Sequence, residues 1–216
     1  MKWIISNHKE NIIIEKENYI QGLNELSKQQ NLIICPKTEE LSFYDNQLYQ
    51  LGSQDVLNPD ILKRYHIRYT IVGHKDQRIT ENNQEINHKI RLLVNHNIIP
   101  ILCIGEEKSE NPIETLEKEI EECLEEVSGQ VWIAYEPNWA IGSNQIPEEK
   151  TLQSIINWVK IKVENKLGYS PTILYGGSVS IENMEKLETV TGIDGYLIGR
   201  ASIEIDNLRK IIEVIK

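Results

Sequence analysis

Short β-branched runs alternate with longer helical patterns along the whole chain of 216 residues. The runs Lys2–Ser6, Leu32–Cys35, Leu48–Ser53, Tyr69–Gly73, Ile99–Ile104, Val131–Glu136, Thr172–Tyr175 and Gly195–Gly199 read as strands. Several are apolar without a break, which suits strands buried on both faces of a parallel sheet. Between them, Ile113, Leu116, Ile120, Leu124 and Val127 form one helical stripe, and Leu152, Ile155, Ile156, Val159 and Val163 another. Pro147 marks a first helical turn, and Leu208, Ile211, Ile212 and Ile215 outline a last amphipathic helix. Two connections are thin. Only Thr38–Phe43 has room to be helical between the second and third strands, and Asn58-Pro59 opens a short piece that must end before Tyr69. Eight strands separated by helices fit a closed (β/α)8 barrel or a doubly wound sheet, and periodicity alone does not choose between them.

Composition narrows the class. The hydrophobic fraction is 40% and the charged fraction 26%, with no apolar run of the length a membrane span needs and no secretory h-region after Met1. Lys and Arg number 23 against 33 Asp and Glu, a net charge of −10. Neither nucleic acid nor an anionic membrane is expected as a partner, so an anionic substrate must be held by local donors. Cys35, Cys103 and Cys123 form no disulfide framework and no C-x-x-C pair. The expectation is a single domain over residues 1–216, cytoplasmic.

Chemistry in a parallel barrel collects at the carboxyl ends of the strands. Those ends carry Asn7-His8-Lys9, Gly73-His74-Lys75-Asp76, Cys103-Ile104-Gly105-Glu106, Tyr135-Glu136-Pro137, Tyr175-Gly176-Gly177-Ser178 and Gly199-Arg200-Ala201-Ser202. The last two are small-residue turns whose backbone N–H groups suit a phosphate. A Glu, a His and a Lys beside such a turn suit proton transfer next to a carbonyl: base, polarising donor and balancing charge. The only alanines, Ala134, Ala140 and Ala201, lie in or beside these strings, as if small side chains were required there. Other readings are bland. His8, His66, His88 and His96 read as surface or satisfied polar residues, Cys103 as a small buried residue, and the acidic run Glu114–Glu126 as a solvated helix face.

Together the strings resemble the triosephosphate isomerase family. Asn7-x-Lys9, Gly73-His74, Cys103-Ile104-Gly105-Glu106, Ala134-Tyr135-Glu136-Pro137-x-Trp139-Ala140-Ile141-Gly142, Tyr175-Gly176-Gly177-Ser178-Val179 and Asp194-Gly195-x-Leu197-Ile198-Gly199 stand in the family's order over nearly the whole chain. The resemblance implies one (β/α)8 barrel with shortened second and third βα segments. It also implies an aldose–ketose isomerase acting on a small phosphorylated triose through an enediolate, without metal or organic cofactor. Glu136 would be the base, His74 a neutral donor, Lys9 the balancing charge, and Asn7 a further donor to the substrate oxygens. Gly142, Ser178, Gly199 and Arg200 would hold the phosphate. Pro137, Trp139, Ala140, Ile141 and Ser143 would form a lid that excludes water, with Tyr175 and Ser178 holding it closed.

Four departures from the family pattern carry expectations of their own. Asp76 replaces a longer Glu and is expected to pair loosely with Lys9. Lys75 replaces a Ser and is expected to form an ion pair with Glu136 while the lid is open. Arg200 stands where Gly is usual. The projecting loop after the third strand, which builds the family's dimer, is cut to Val56-Leu57-Asn58, so a monomer or a dimer through another surface is expected. Isomerisation of a tetrulose phosphate and non-catalytic phosphometabolite binding are the alternatives.

Overall fold

Eight parallel strands close into a barrel in sequence order, with β8 hydrogen-bonded back to β1. They are β1 (Trp3–Asn7), β2 (Asn31–Cys35), β3 (Gln50–Ser53), β4 (Tyr69–Val72), β5 (Ile99–Ile104), β6 (Trp132–Tyr135), β7 (Ile173–Tyr175) and β8 (Gly195–Ile198). The computed structural model describes residues 1–8, 16–44, 47–55 and 58–215. Closure excludes the doubly wound alternative. Each strand falls within two residues of the run expected for it.

The unbroken apolar runs follow from two buried faces. Alternate residues belong to two cores: Ile4, Ile34, Val72, Ile133 and Tyr135 pack outward under the helices, while Ile5, Ile33, Ile71, Ala134 and Leu174 fill the barrel. At the amino ends, Trp3, Tyr69 and Trp132 close the floor, with Trp132 stacked 4.8 Å from each of the other two rings. The same period of two turns Asn7 and Glu136 inward at the opposite mouth.

The outer layer holds α1 (Lys16–Leu26), α2 (Pro59–Arg64), α3 (Asn83–Asn95), α4 (Pro112–Cys123), α5 (Glu149–Leu167), α6 (Ile181–Leu187) and α7 (Ile205–Val214). Asparagines start several of them. Asn58, Asn82 and Asn111 each accept a backbone N–H of the first turn, and Asn82 with Glu85 forms a reciprocal capping box. The thin second connection is a 3-10 turn, Thr38–Phe43, and it still buries Leu41 beside Tyr44 over the barrel wall. Two boundaries differ from expectation. Pro147 lies before α5, which begins at Glu149, because Glu148 is still extended (φ −56°, ψ 140°). The stripe toward Val127 outruns α4, which stops at Cys123; Glu126 then takes the left-handed region at φ 52°. Among the described residues no helix is long and apolar enough to cross a membrane.

Candidate active site at the mouth of the barrel

A cavity of about 410 Å³ opens at the carboxyl ends of the strands. Asn7, His74, Glu136, Ile141, Gly142, Ser178, Gly199 and Arg200 all line it. The barrel thus gathers residues from both ends of the chain around one space. Lys9, expected beside them, lies outside the described residues, as do Val56 and Leu57 of the shortened loop.

Glu136 follows the last residue of β6, and its N–H donates to the Ile104 carbonyl at 2.8 Å, extending the ladder by one residue. Its side chain is buried, with Oε2 3.4 Å from His74 Nε2. Space for that carboxylate depends on Gly176: a Cβ there would fall 2.6 Å from Glu136 Oε1 and 2.9 Å from its Cγ. His74 is also buried, and its Nδ1 accepts the backbone N–H of Asp76 at 3.2 Å. A backbone N–H only donates, so the proton of a neutral ring sits on Nε2, the nitrogen that faces Glu136. Asp76 Oδ2 stands 3.6 Å from Nδ1 with its side chain largely exposed. Asn7 Oδ1 is buried without a hydrogen-bond partner among the described residues.

The segment after Glu136 is tied down at its start. The indole N–H of Trp139 donates to Glu106 Oε1 at 3.0 Å, the Asn138 N–H to the Glu106 carbonyl at 2.9 Å, and the Asn138 amide to the Gly105 carbonyl at 2.9 Å. Ala140 N–H closes a turn on the Pro137 carbonyl, and Ser143 N–H one on Ala140. Residues 142–145 are exposed. Ile141 and Gly142 reach the cavity; Pro137, Trp139, Ala140 and Ser143 do not line it. Ala140 is fully buried, which accounts for a small side chain there. Tyr175 does not line the cavity either. Its hydroxyl lies beneath the Gly177 turn, 2.6 Å from where a Cβ on Gly177 would sit.

Lys75 departs from expectation. Its ammonium donates to the Asn138 carbonyl at 3.0 Å and pairs with Glu107 at 3.3 Å, outside the cavity and on the backbone that follows β6, not with Glu136. The side chain follows the strand end outward, where Glu107 is the nearer exposed anion.

Three supporting groups escaped sequence reading. Glu106 is buried, and burial raises its carboxyl above the usual range against the donors Trp139 and Tyr135. Glu119, read as part of a solvated face, is buried against Arg78 at 3.2 Å and accepts the Gly105 N–H at 3.0 Å. It sits between Leu116 and Ile120 on the inward stripe, and that phase was the available signal. His8 is fully buried in a chain of polar contacts: its Nε2 meets the Tyr19 hydroxyl at 2.8 Å, and that hydroxyl donates to the Ser202 carbonyl at 2.6 Å. The chain links β1 to the turn that carries Gly199 and Arg200.

Fold and site define a class: a (β/α)8-barrel enzyme with a paired carboxylate and imidazole at the mouth, facing small-residue turns. A family model described as triosephosphate isomerase matches residues 2–215. The triosephosphate isomerase of Wolbachia pipientis wMel is 29% identical over 99% of this chain and 93% of its own length. That of Orientia tsutsugamushi (strain Ikeda) is 29% identical over 99% and 97%. That of Buchnera aphidicola subsp. Cinara cedri (strain Cc) is 33% identical over 79% and 76%. The chain belongs to the triosephosphate isomerase family.

Proposed function

We propose that this chain interconverts glyceraldehyde 3-phosphate and dihydroxyacetone phosphate by proton transfer through an enediolate. The observation that carries the reading is the placement of His74 Nε2 3.4 Å from Glu136 Oε2 on one wall of the cavity, with Nδ1 occupied by a backbone donor. The Glu136 carboxylate takes the proton from the carbon next to the carbonyl. The Nε2–H of His74 hydrogen-bonds to the oxygen on which charge develops, and the hydroxyl proton of the neighbouring carbon passes to that oxygen, so that the old hydroxyl becomes the new carbonyl. The resulting carboxylic acid then returns the proton to the neighbouring carbon. Asn7 supplies a second polar contact to the same oxygens, and Lys9, by family resemblance, the balancing charge. General acid–base groups placed this way contribute roughly 10²–10⁴-fold each.

The phosphate is assigned to Gly142, Ser178, Gly199 and Arg200, and water exclusion to the segment 137–143. Anchoring at Glu106 supports a lid whose hinge is fixed while its tip is exposed. The shortened loop supports a monomer, or a dimer through another surface; light scattering at twice the chain mass across a dilution series would exclude the monomer. Three buried free thiols suit a reducing compartment, and we assign the protein to the cytoplasm.

Isomerisation in deuterium oxide tests the proton path. The reading expects solvent deuterium on the carbon that receives the proton in part of the product, because a protonated carboxyl exchanges before it returns its proton. Product free of deuterium at every extent of reaction would mean direct hydride transfer and would overturn it.

A further inference from the structure

The backbone position of Arg200 leaves the role of its side chain unassigned. It opens the 3-10 turn Arg200–Ser202 after β8 and lines the same cavity as His74 and Glu136. The guanidinium reaches toward the lid. Its Nη2 lies 3.7 Å from where a Cβ on Gly142 would sit. Gly142 itself has φ 71°, in the left-handed region, so glycine suits this contact for its backbone as well as for the space it leaves.

Among the described residues, the other cations near the mouth are engaged. Arg78 donates to the Gly73 and Cys103 carbonyls and to Asn83, and Lys75 to Asn138 and Glu107. The Arg200 guanidinium makes no hydrogen bond or ion pair among the described residues, although Glu204, also a lining residue, follows it by one turn. A guanidinium with its N–H fork uncommitted, at the phosphate end of a cavity in a chain of net charge −10, is matched to a phosphate ester.

We propose that the Arg200 side chain clamps the substrate phosphate against the lid, so that the dianion bridges the β8 turn and Gly142 and holds the segment 137–143 shut. This rests on the isomerase reading for the identity of the ester. The guanidinium fork grips two phosphate oxygens, a charge-assisted contact stronger than a neutral backbone donor. Lid closure removes that contact from water and salt, which strengthens it. The clamp therefore favours the closed lid by the difference between its strength in the closed and open states. A triose lacking the phosphate gains none of this.

The probe is inorganic phosphate, titrated calorimetrically into the wild type, Arg200→Met and Arg200→Lys. Proteolysis of the exposed residues 142–145 is followed with and without phosphate. Arg200 is solvent-exposed, so the substitutions leave the core intact, as matched thermal melts would show. In Arg200→Met phosphate affinity should fall about tenfold or more, and saturating phosphate should no longer protect the lid. Arg200→Lys should recover part of the affinity but not the protection, because a point charge lacks the fork. Wild-type affinity in Arg200→Met, or full protection of its lid once saturated, would overturn the clamp. Isomerase activity of the wild type is assayed separately. Its absence would count against the function reading, while the titrations would still decide the role of Arg200.

Discussion

Arg78 Nη1 lies 3.2 Å from the buried Glu119 Oε1, and the pair joins the mouth ends of β4 and β5. Arg78 donates to the Gly73 carbonyl at 2.7 Å and the Cys103 carbonyl at 3.0 Å, while Glu119 accepts from Gly105. These are the residues just before His74 and Glu106. Removing Arg78 withdraws a donor from both carbonyls and takes the cation from the buried Glu119, so Arg78→Met should cost about 3–5 kcal/mol in denaturant unfolding above pH 7, where Glu119 is ionised. A cost under about 1 kcal/mol would show the pair to be dispensable.

Two buried groups give the stability opposite slopes with pH. Burial pulls His8 from 6.5 down to about 4. Below pH 6.5 the unfolded chain takes up a proton that the folded chain refuses, so this contribution is whole above 6.5 and lost on descending to about 4. The total is on the order of 3 kcal/mol. Burial pushes Glu119 from 4.5 up to about 7, against the pull of Arg78 and the Gly105 N–H. Its contribution is whole below 4.5 and lost as pH rises through 7. Unfolding titrations should therefore show that Glu119→Gln costs less at pH 8 than at pH 5. For His8→Gln the cost should shrink between pH 7 and 4. Parallel profiles for wild type and variants would contradict both assignments.

Gly176 is required for space. A Cβ there meets Glu136 Oε1 at 2.6 Å, and the carboxylate, as the movable partner, must shift off His74. Gly176→Ala should lower kcat about 10²-fold with little change in melting temperature. Unchanged kcat would mean that the carboxylate acts from another position.

Glu106 anchors the segment after β6 through the Trp139 indole. Glu106→Ala frees the indole and the Tyr135 hydroxyl, and should lower kcat by at least about tenfold through mispositioning of the lid. A wild-type kcat would separate hinge anchoring from turnover.

The barrel was largely legible because strands buried on both faces leave unbroken apolar runs, and because the site residues sit at strand ends, where alternation sets their direction. Ala134 inside, Tyr135 outside and Glu136 inside follow from a period of two. What periodicity missed came from partners distant in sequence. Glu119 is acidic among acidic neighbours, and its burial is made tolerable by Arg78, reached from the turn after β4, and by the Gly105 N–H after β5. His8 looked like one more polar loop residue until α1 brought Tyr19 to it. Lys75 turns outward from its strand end to the exposed Glu107 and the Asn138 carbonyl, partners that periodicity does not supply. The start of α5 was misplaced by taking Pro147 as the first helical residue, when it precedes the helix by two.

The central claim is that Glu136 moves a proton on a triose phosphate. Its most direct test is kcat/KM for glyceraldehyde 3-phosphate, with Glu136→Gln purified and assayed in parallel to exclude host enzyme. The account predicts a value above ~10⁶ M⁻¹s⁻¹ that is lost in the variant. A value below ~10³ M⁻¹s⁻¹, or one that Glu136→Gln leaves unchanged, would contradict it.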